Sequence, residues 1–324
     1  LSETAAIVLA AGKSTRMKSE VPKVLHEICG RPMLSHVLHA CRLAGVDRLI
    51  VVVGYGKDEL IRRFDADDDL AWVEQAEQKG TGHAVLCCRK TLKGFSGSVL
   101  IVAGDMPLVR RVTLAGLIES REHTGDALTL ATMVLDEPSG YGRIVRDAEG
   151  RLEAIVEDCD CTDEQRGICE VNPSYYCFDA DRLFEALMRV EPAAEKGEYY
   201  LTDVVRILHE GGHGVSVGVT VPPEDAMGIN SRLDLATVGR VMQDRIQLGL
   251  MSEGVTIVDP DNIWIEADVS IGRDTIIFPF TMIGAGASIG RGCRIGPFTR
   301  VGAGEIVEDG SAVGSAASCG AVGS

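Results

Sequence analysis

From Ile265 to Val313 the sequence places an aliphatic residue at every sixth position: Ile265, Ile271, Ile277, Ile283, Ile289, Ile295, Val301, Val307 and Val313. Glycine follows directly at 272, 284, 290, 296, 302 and 314. A period of six fits neither the 3.6-residue repeat of a helix nor the two-residue alternation of an ordinary strand. It fits a parallel β-helix, in which each coil turns one apolar residue per face inward and buries it only by stacking on a neighbouring coil. At about 18 residues per triangular coil, residues 254–324 supply three to four coils. After Gly304 the repeat is expected to decay, into "EIVEDGSAVGSAASCGAVGS".

The residues before this repeat follow another pattern. "AAIVLAA", "RLIVVVG" and "SVLIVAGDMPL" are continuous apolar runs, each ending at small or turn-forming residues. Strands without alternation are buried on both faces, which predicts a mostly parallel, helix-covered, Rossmann-like α/β sheet. Between them lie helical stretches. One carries Met33, Leu34, Val37, Leu38 and Cys41 and stops at Gly45; another is "KDELIRRF"; a third lies within "WVEQAEQKGTGHAVLCCRKTL". Residues 127–178 read as further strands, and residues 181–213 as helix. A long amphipathic helix then carries Leu235, Val238, Met242 and Ile246 on one face. With 324 residues, two or three structural units are expected: a domain over 1–228, a linker helix over 229–253 and the β-helix over 254–324.

Ligands of such sheets sit at the carboxyl ends of the strands, so the loops 11–23, 54–57, 75–82 and 104–108 are the candidate site. The first contains "GKST", the tail of a phosphate-binding P-loop, but that motif needs a glycine where Ile7 stands, inside the strand. A dinucleotide G-x-G-x-x-G is also missing after the strand. Lys13 and Arg16 therefore edge a glycine turn of neither class. A net charge of −16 disfavours general nucleic-acid binding, while leaving room for a local cationic pocket. Ten scattered cysteines without a C-x-x-C pair indicate neither structural zinc nor a disulfide framework. Reduced thiols, together with no signal-peptide pattern and no apolar run near the roughly 20 residues of a membrane span, point to a cytoplasmic protein.

Taken in order, "LAAGKSTRM", "PKVLH", "QAEQKGTGHA", "GDMPL", "GYGRI", "GEYYLTD" and "GINSR", followed by the hexapeptide repeat, resemble the bifunctional N-acetylglucosamine-1-phosphate uridylyltransferase / glucosamine-1-phosphate acetyltransferases. The start alone would indicate only the wider sugar nucleotidyltransferase superfamily. The resemblance covers the chain to about residue 305 and implies a left-handed β-helix, a homotrimer, and Mg²⁺-dependent transfer of UMP from UTP to N-acetylglucosamine 1-phosphate. That step belongs to UDP-N-acetylglucosamine supply for the cell wall.

The resemblance also assigns residues. Leu9, Ala10, Ala11, Gly12 and Lys23 face the nucleotide, Gln75, Gly80 and Thr81 face the uracil, and Arg16 and Lys23 are the catalytic cations. Asp105 and Asn230 are the Mg²⁺ ligands. Gly142, Glu157 and Asn172 hold the sugar, with Tyr200 and Thr202 at the same end. His83 reads as a structural helix residue.

The chain departs from the family in three places. Pro173-Ser174 replaces a small residue and glycine beside the N-acetyl group, which leaves open another sugar, such as N-acetylgalactosamine 1-phosphate. Cys159 stands where lysine is common. The family's acetyltransferase residues fall beyond residue 324, so acetyl transfer is not expected of this chain. A non-catalytic scaffold of the same fold is the competing reading, and the presence of Asp105, Lys23 and Arg16 argues against it.

Overall fold

The computed structural model describes residues 2–13, 15–193 and 197–314, and the sequence tail at 315–324 lies outside them. The chain forms two compact units, Leu1–Leu25 with Met33–Asn230, and His26–Pro32 with Ser231–Ser324. In chain order the strands are β1 Thr4–Ala10, β2 Glu27–Ile28, β3 Arg31–Pro32, β4 Arg48–Val53, β5 Leu70–Glu74, β6 Ser98–Ala103, β7 Leu128–Val134, β8 Arg143–Arg146, β9 Leu152–Val156, β10 Glu170–Val171, β11 Tyr176–Asp179 and β12 Val215–Thr220.

In the first unit these strands, β2 and β3 excepted, form one sheet in the order β5-β4-β1-β6-β11-β7-β10-β8-β9, with β12 beside β7. The half β5-β4-β1-β6 is parallel. Strand β11 then runs antiparallel between β6 and β7. The continuous apolar run of β1 is explained by its position: Ala6, Ile7 and Val8 are all fully buried, Ile7 in one core layer and Ala6 and Val8 in the other. Registers Ala10↔Val53, Leu9↔Ala103 and Val53↔Glu74 bring the carboxyl ends of β1, β4, β5 and β6 to a common edge.

One expectation for this unit needs correction. Among the described residues, the stretch 181–213 is helical only at Ala180–Leu187 and Asp203–Glu210. Strand β12 follows it, with Val215, Val217 and Val219 at the two-residue spacing of a strand. Gly218 interrupts its valines because a Cβ there would lie 2.4 Å from Thr129 Cγ2 on β7.

The second unit begins with a detour: the hairpin β2–β3 belongs with it rather than with its sequence neighbours. The Cys29 carbonyl accepts from Ala267 N–H at 2.7 Å, and Arg31 pairs with Asp268. The hexapeptide residues stack as the repeat requires. Ile265, Ile283 and Val301 lie in one parallel three-stranded sheet; Ile271, Ile289 and Val307 lie in a second. Ile277, Ile295 and Val313 lie in the four-stranded third. Together they fill the core. The expected decay after Gly304 is corrected: pairing continues through Ile306–Val307 and Ala312–Val313, whose aliphatic residues keep the six-residue period. Glycine follows the aliphatic residue because the next coil's backbone is close: a Cβ on Gly284 would lie 2.6 Å from Ala303 N.

The helix Arg232–Ser252 starts at a capping box between Ser231 and Asp234. Its buried face is not the expected apolar stripe. Val238, Gly239, Gln243, Gln247 and Leu250 are buried, whereas Leu235, Met242 and Ile246 are only partly covered. The reason is the open edge of the first coil. Gln243 accepts from Ile265 N–H at 2.9 Å and donates to the Ile265 carbonyl, and Gln247 donates to the Ile263 carbonyl at 3.2 Å. Two side-chain amides thus satisfy strand groups that would otherwise be buried without partners.

Candidate active site

A cleft of ≈ 580 Å³ opens at the carboxyl edge of the first unit's sheet. Leu9, Ala10, Ala11 and Gly12 form its floor, continuing β1. Arg16, Lys23 and Asp105 stand on one side, and Gln75, Gly80, Thr81 and Tyr200 also line it. These sequence-assigned residues are gathered in one place. Tyr55, Gln78 and Glu198 line the cleft as well and were not singled out. Gln78 donates to the Ala11 carbonyl at 2.9 Å, fastening the loop after β5 to the glycine turn. Lys13 lies over the Tyr55 ring, 5.3 Å from its centre. Only the position of 54–57 at a strand's carboxyl end pointed toward Tyr55.

Two glycines have opposite reasons. A Cβ on Gly80, whose φ is +95°, would lie 2.6 Å from the Tyr199 carbonyl oxygen, so the backbone itself demands glycine. This close approach is a staple: Gly82 N–H donates to Tyr199 O at 2.8 Å, Tyr199 N–H to Lys79 O at 2.8 Å, and Leu201 N–H to Thr81 Oγ1 at 3.1 Å. A Cβ on Gly12 would meet nothing within 4 Å. The fold does not require that glycine, and the open space belongs to the cleft.

Charge is concentrated at one end. Lys23 donates to the Asp105 carboxylate and, at 3.3 Å, to Asn230 Oδ1, which also accepts from the Arg16 guanidinium at 2.9 Å. The side chains of Lys23 and Asp105 are 13% and 22% exposed, sheltered enough that either charge alone would be costly. Asn230 arrives because Ile229 N–H donates to the Asp105 carbonyl at 3.1 Å. A carboxylate oxygen and an amide oxygen therefore already converge on one cation, the Lys23 ammonium. This donor set fits Mg²⁺, which takes few protein oxygens and completes its shell with phosphate and water. Among the described residues no cluster of three or more His, Cys, Asp or Glu could hold a metal.

The residues assigned to the sugar form a second connected group. Glu157 Oε1 accepts from Thr202 Oγ1 at 2.8 Å, and the Gly142 carbonyl accepts from Asn172 N–H at 2.9 Å. Gly142 and Glu157 are held by their neighbours: Arg143, 2% exposed, donates to Asp158 at 2.8 Å. The Gly140 backbone N–H and then the Arg143 guanidinium keep the Asp158 carboxyl below the usual carboxylate range. Asn172 is engaged at both ends of its amide, donating one hydrogen to Tyr176 OH at 2.6 Å and accepting from Ser174 N–H at 2.9 Å. Burial pushes the Tyr176 phenol up, so it stays protonated. Of this group only Tyr200 lines the cleft itself.

Residues 6–201 match the family model of the MobA-like NTP transferase domain, and residues 268–303 match the bacterial transferase hexapeptide, six repeats. The chain is similar to the Bifunctional protein GlmU of Trichlorobacter lovleyi, 46% identical over 87% of this chain and 63% of that protein. It is also similar to the Bifunctional protein GlmU of Pelotomaculum thermopropionicum, 44% identical over 86% of this chain and 61% of that protein. It thus spans about three fifths of the length of these relatives. The solved structure of a UDP-glucose pyrophosphorylase complexed with UDP-glucose superposes with a TM-score of 0.61 at 19% identity, covering 75% of this chain and 99% of that one, a likeness of fold. With its family model matched across more than half of its length, the chain belongs to the family of MobA-like NTP transferase domains.

Proposed function

We propose that this nucleotidyltransferase moves UMP from UTP onto N-acetylglucosamine 1-phosphate, releasing pyrophosphate and giving UDP-N-acetylglucosamine, with Mg²⁺ required. The observation that carries the reading is the convergence of Arg16, Lys23, Asp105 and Asn230 at one end of a cleft walled by Gln75, Gly80 and Thr81. Both reactants are polyanions. In such a reaction positioning and charge compensation supply most of the rate. A phosphate oxygen of the sugar 1-phosphate forms the new bond to the α-phosphorus. The bond to the bridging oxygen breaks, and the electron pair leaves with pyrophosphate. The attacking phosphate is already ionised, so no side chain has to remove a proton.

In this reading Ala11 and Gly12 offer backbone N–H groups to the phosphates, and Arg16 and Lys23 oppose the charge that shifts as pyrophosphate departs. Gln75, Gly80 and Thr81 receive the uracil. Gly142, Glu157, Asn172, Tyr200 and Thr202 receive the sugar. Asp105 and Asn230 hold Mg²⁺, which supplies charge neutralisation and alignment of the triphosphate.

One observation favours a second sugar. The Asn172 side chain is already committed on both its amide groups, and Ser174 occupies a left-handed conformation at φ +62°. A neighbouring N-acetylhexosamine 1-phosphate, such as the galactosamine isomer, is the alternative substrate.

The same proposal includes a homotrimer formed through the β-helix, supported by its exposed aromatic surface, where Phe280 and Phe298 stack at 4.9 Å. It also includes a cytoplasmic location, supported by free cysteines throughout the described residues. Among those residues no helix is long and apolar enough to cross a membrane. The test is pyrophosphate release from each nucleoside triphosphate with a panel of sugar 1-phosphates and Mg²⁺. Turnover with UTP and N-acetylglucosamine 1-phosphate is expected, and none with any pair would overturn the reading.

A further inference from the structure

We infer that His83 is a positioning residue that fixes which edge of the Gln75 amide faces the nucleobase. Gln75 is 4% exposed and lines the cleft. Its Nε2 donates to the Gly80 carbonyl at 3.0 Å and lies 3.1 Å from His83 Nδ1. A carbonyl oxygen only accepts, so the edge of the amide facing Gly80 is the NH₂ edge. With one hydrogen on Gly80 O, the second points to His83 Nδ1. That nitrogen therefore accepts, and the imidazole proton sits on Nε2, on the side of Cys87 Sγ at 3.9 Å.

Both amide hydrogens are then spent within the protein. Gln75 Oε1 has no hydrogen-bond partner among the described residues, so the amide is left with an acceptor to offer the base. The imide N–H of uracil is a donor. The corresponding ring nitrogen of cytosine is an acceptor and would face Oε1 with like polarity. Helical periodicity brings this about, because Thr81–Cys87 begins at the loop that carries Gly80 and sets His83 on its first turn. The backbone staple of Gly82 to Tyr199 keeps that turn in place.

The inference rests on the nucleotidyltransferase reading and adds the residue that enforces its base preference. The experiment is equilibrium binding of UTP and CTP, each with Mg²⁺, to the whole chain and to two variants. His83→Leu keeps bulk and removes the acceptor. His83→Asn places an amide oxygen where Nδ1 stood. The expected result is a UTP-over-CTP preference in the unaltered protein that falls by about tenfold in H83L, through loss of one oriented buried hydrogen bond, and is largely retained in H83N. An unchanged preference in H83L, or an equal fall in both variants with intact circular dichroism, overturns the role of His83. Failure of the unaltered protein to bind either nucleotide overturns the underlying reading as well and is recognisable as such.

Discussion

The ammonium of Lys23 rests on the carboxylate of Asp105, although 82 positions separate them in the chain. Lys23 opens a 3-10 turn in the long loop after β1 and Asp105 follows β6, and Asn230 closes the group from a third segment. A lysine seated between the two proposed Mg²⁺ ligands does two things. It compensates Asp105 in a sheltered place, and in the proposed reaction it would stand beside the phosphates. A divalent cation held by Asp105 and Asn230 would compete with the Lys23 ammonium for the same oxygens.

Lys23→Ala should lower kcat by about two to three orders of magnitude, with a much smaller rise in KM for UTP. Its charge matters most while negative charge moves onto the departing pyrophosphate. Steady-state kinetics at saturating Mg²⁺ decide this. A rise in KM at unchanged kcat would make Lys23 a ground-state phosphate contact instead.

Asp105→Ala should abolish turnover at millimolar Mg²⁺, since losing the charged ligand removes several kcal/mol of transition-state stabilisation. It also strands Lys23 without its counter-charge, so unfolding should be measured alongside. Asp105→Glu keeps the counter-charge to Lys23 while displacing the ligand oxygen, and so separates the two effects. Unchanged rates across a Mg²⁺ titration would remove Asp105 from the metal site.

Gly12→Ala should leave stability within about 0.5 kcal/mol of the unaltered protein, because the added methyl meets open space. Its effect should appear only with ligand, as roughly tenfold weaker UTP binding where the methyl crowds phosphates held by backbone N–H groups. Denaturant unfolding and calorimetric titration give the pair of numbers. Equal binding would mean the nucleotide does not approach this turn.

Much of this was legible in the sequence where one signal matched one physical demand. The six-residue period survives because inward residues such as Ile277, Ile283 and Ile295 are fully buried in every coil. The loops carrying Gly12, Gln75 and Asp105 are readable because buried parallel strands deliver their ends to one edge. What escaped depends on contacts between segments distant in sequence. Gln243 and Gln247 look like the polar face of a helix until the open coil edge they satisfy is known. The hairpin at Glu27–Pro32 looks like a local turn, yet its partners are Ala267 and Asp268. Tyr55 carries no motif and Gln78 is one unassigned position within "QAEQKGTGHA", and only the folded loops show that they line the cleft.

Ser174 holds a left-handed backbone at φ +62°, a region in which glycine is strain-free. Ser174→Gly should therefore raise stability by about 0.5–1 kcal/mol, the relieved strain exceeding the added freedom of the unfolded chain. With Pro173→Ser added, the ratio of kcat/KM between N-acetylhexosamine 1-phosphates should change while the preference for UTP does not. A shift in nucleotide preference alone would place this loop away from the sugar.

The last prediction concerns the β-helix. Phe298 is 77% and Phe280 55% exposed, and their rings stack nearly parallel, at 8°. Met282 and Ile306 add further exposed apolar surface to the same unit. Surface of this kind is unfavourable in water unless something covers it, and a second and third copy of the same face can do so with each chain contributing alike. Phe298→Asp puts a carboxylate into that contact. Each copy loses on the order of 2 kcal/mol of apolar burial and gains a charge that would need desolvation. Sedimentation equilibrium should show a trimer for the unaltered chain and a monomer for the variant at micromolar concentration. Nucleotidyl transfer per chain should persist, since every residue lining the cleft belongs to the first unit. A monomeric unaltered protein would refute the trimer. Loss of turnover in a folded monomeric variant would show instead that the cleft depends on assembly.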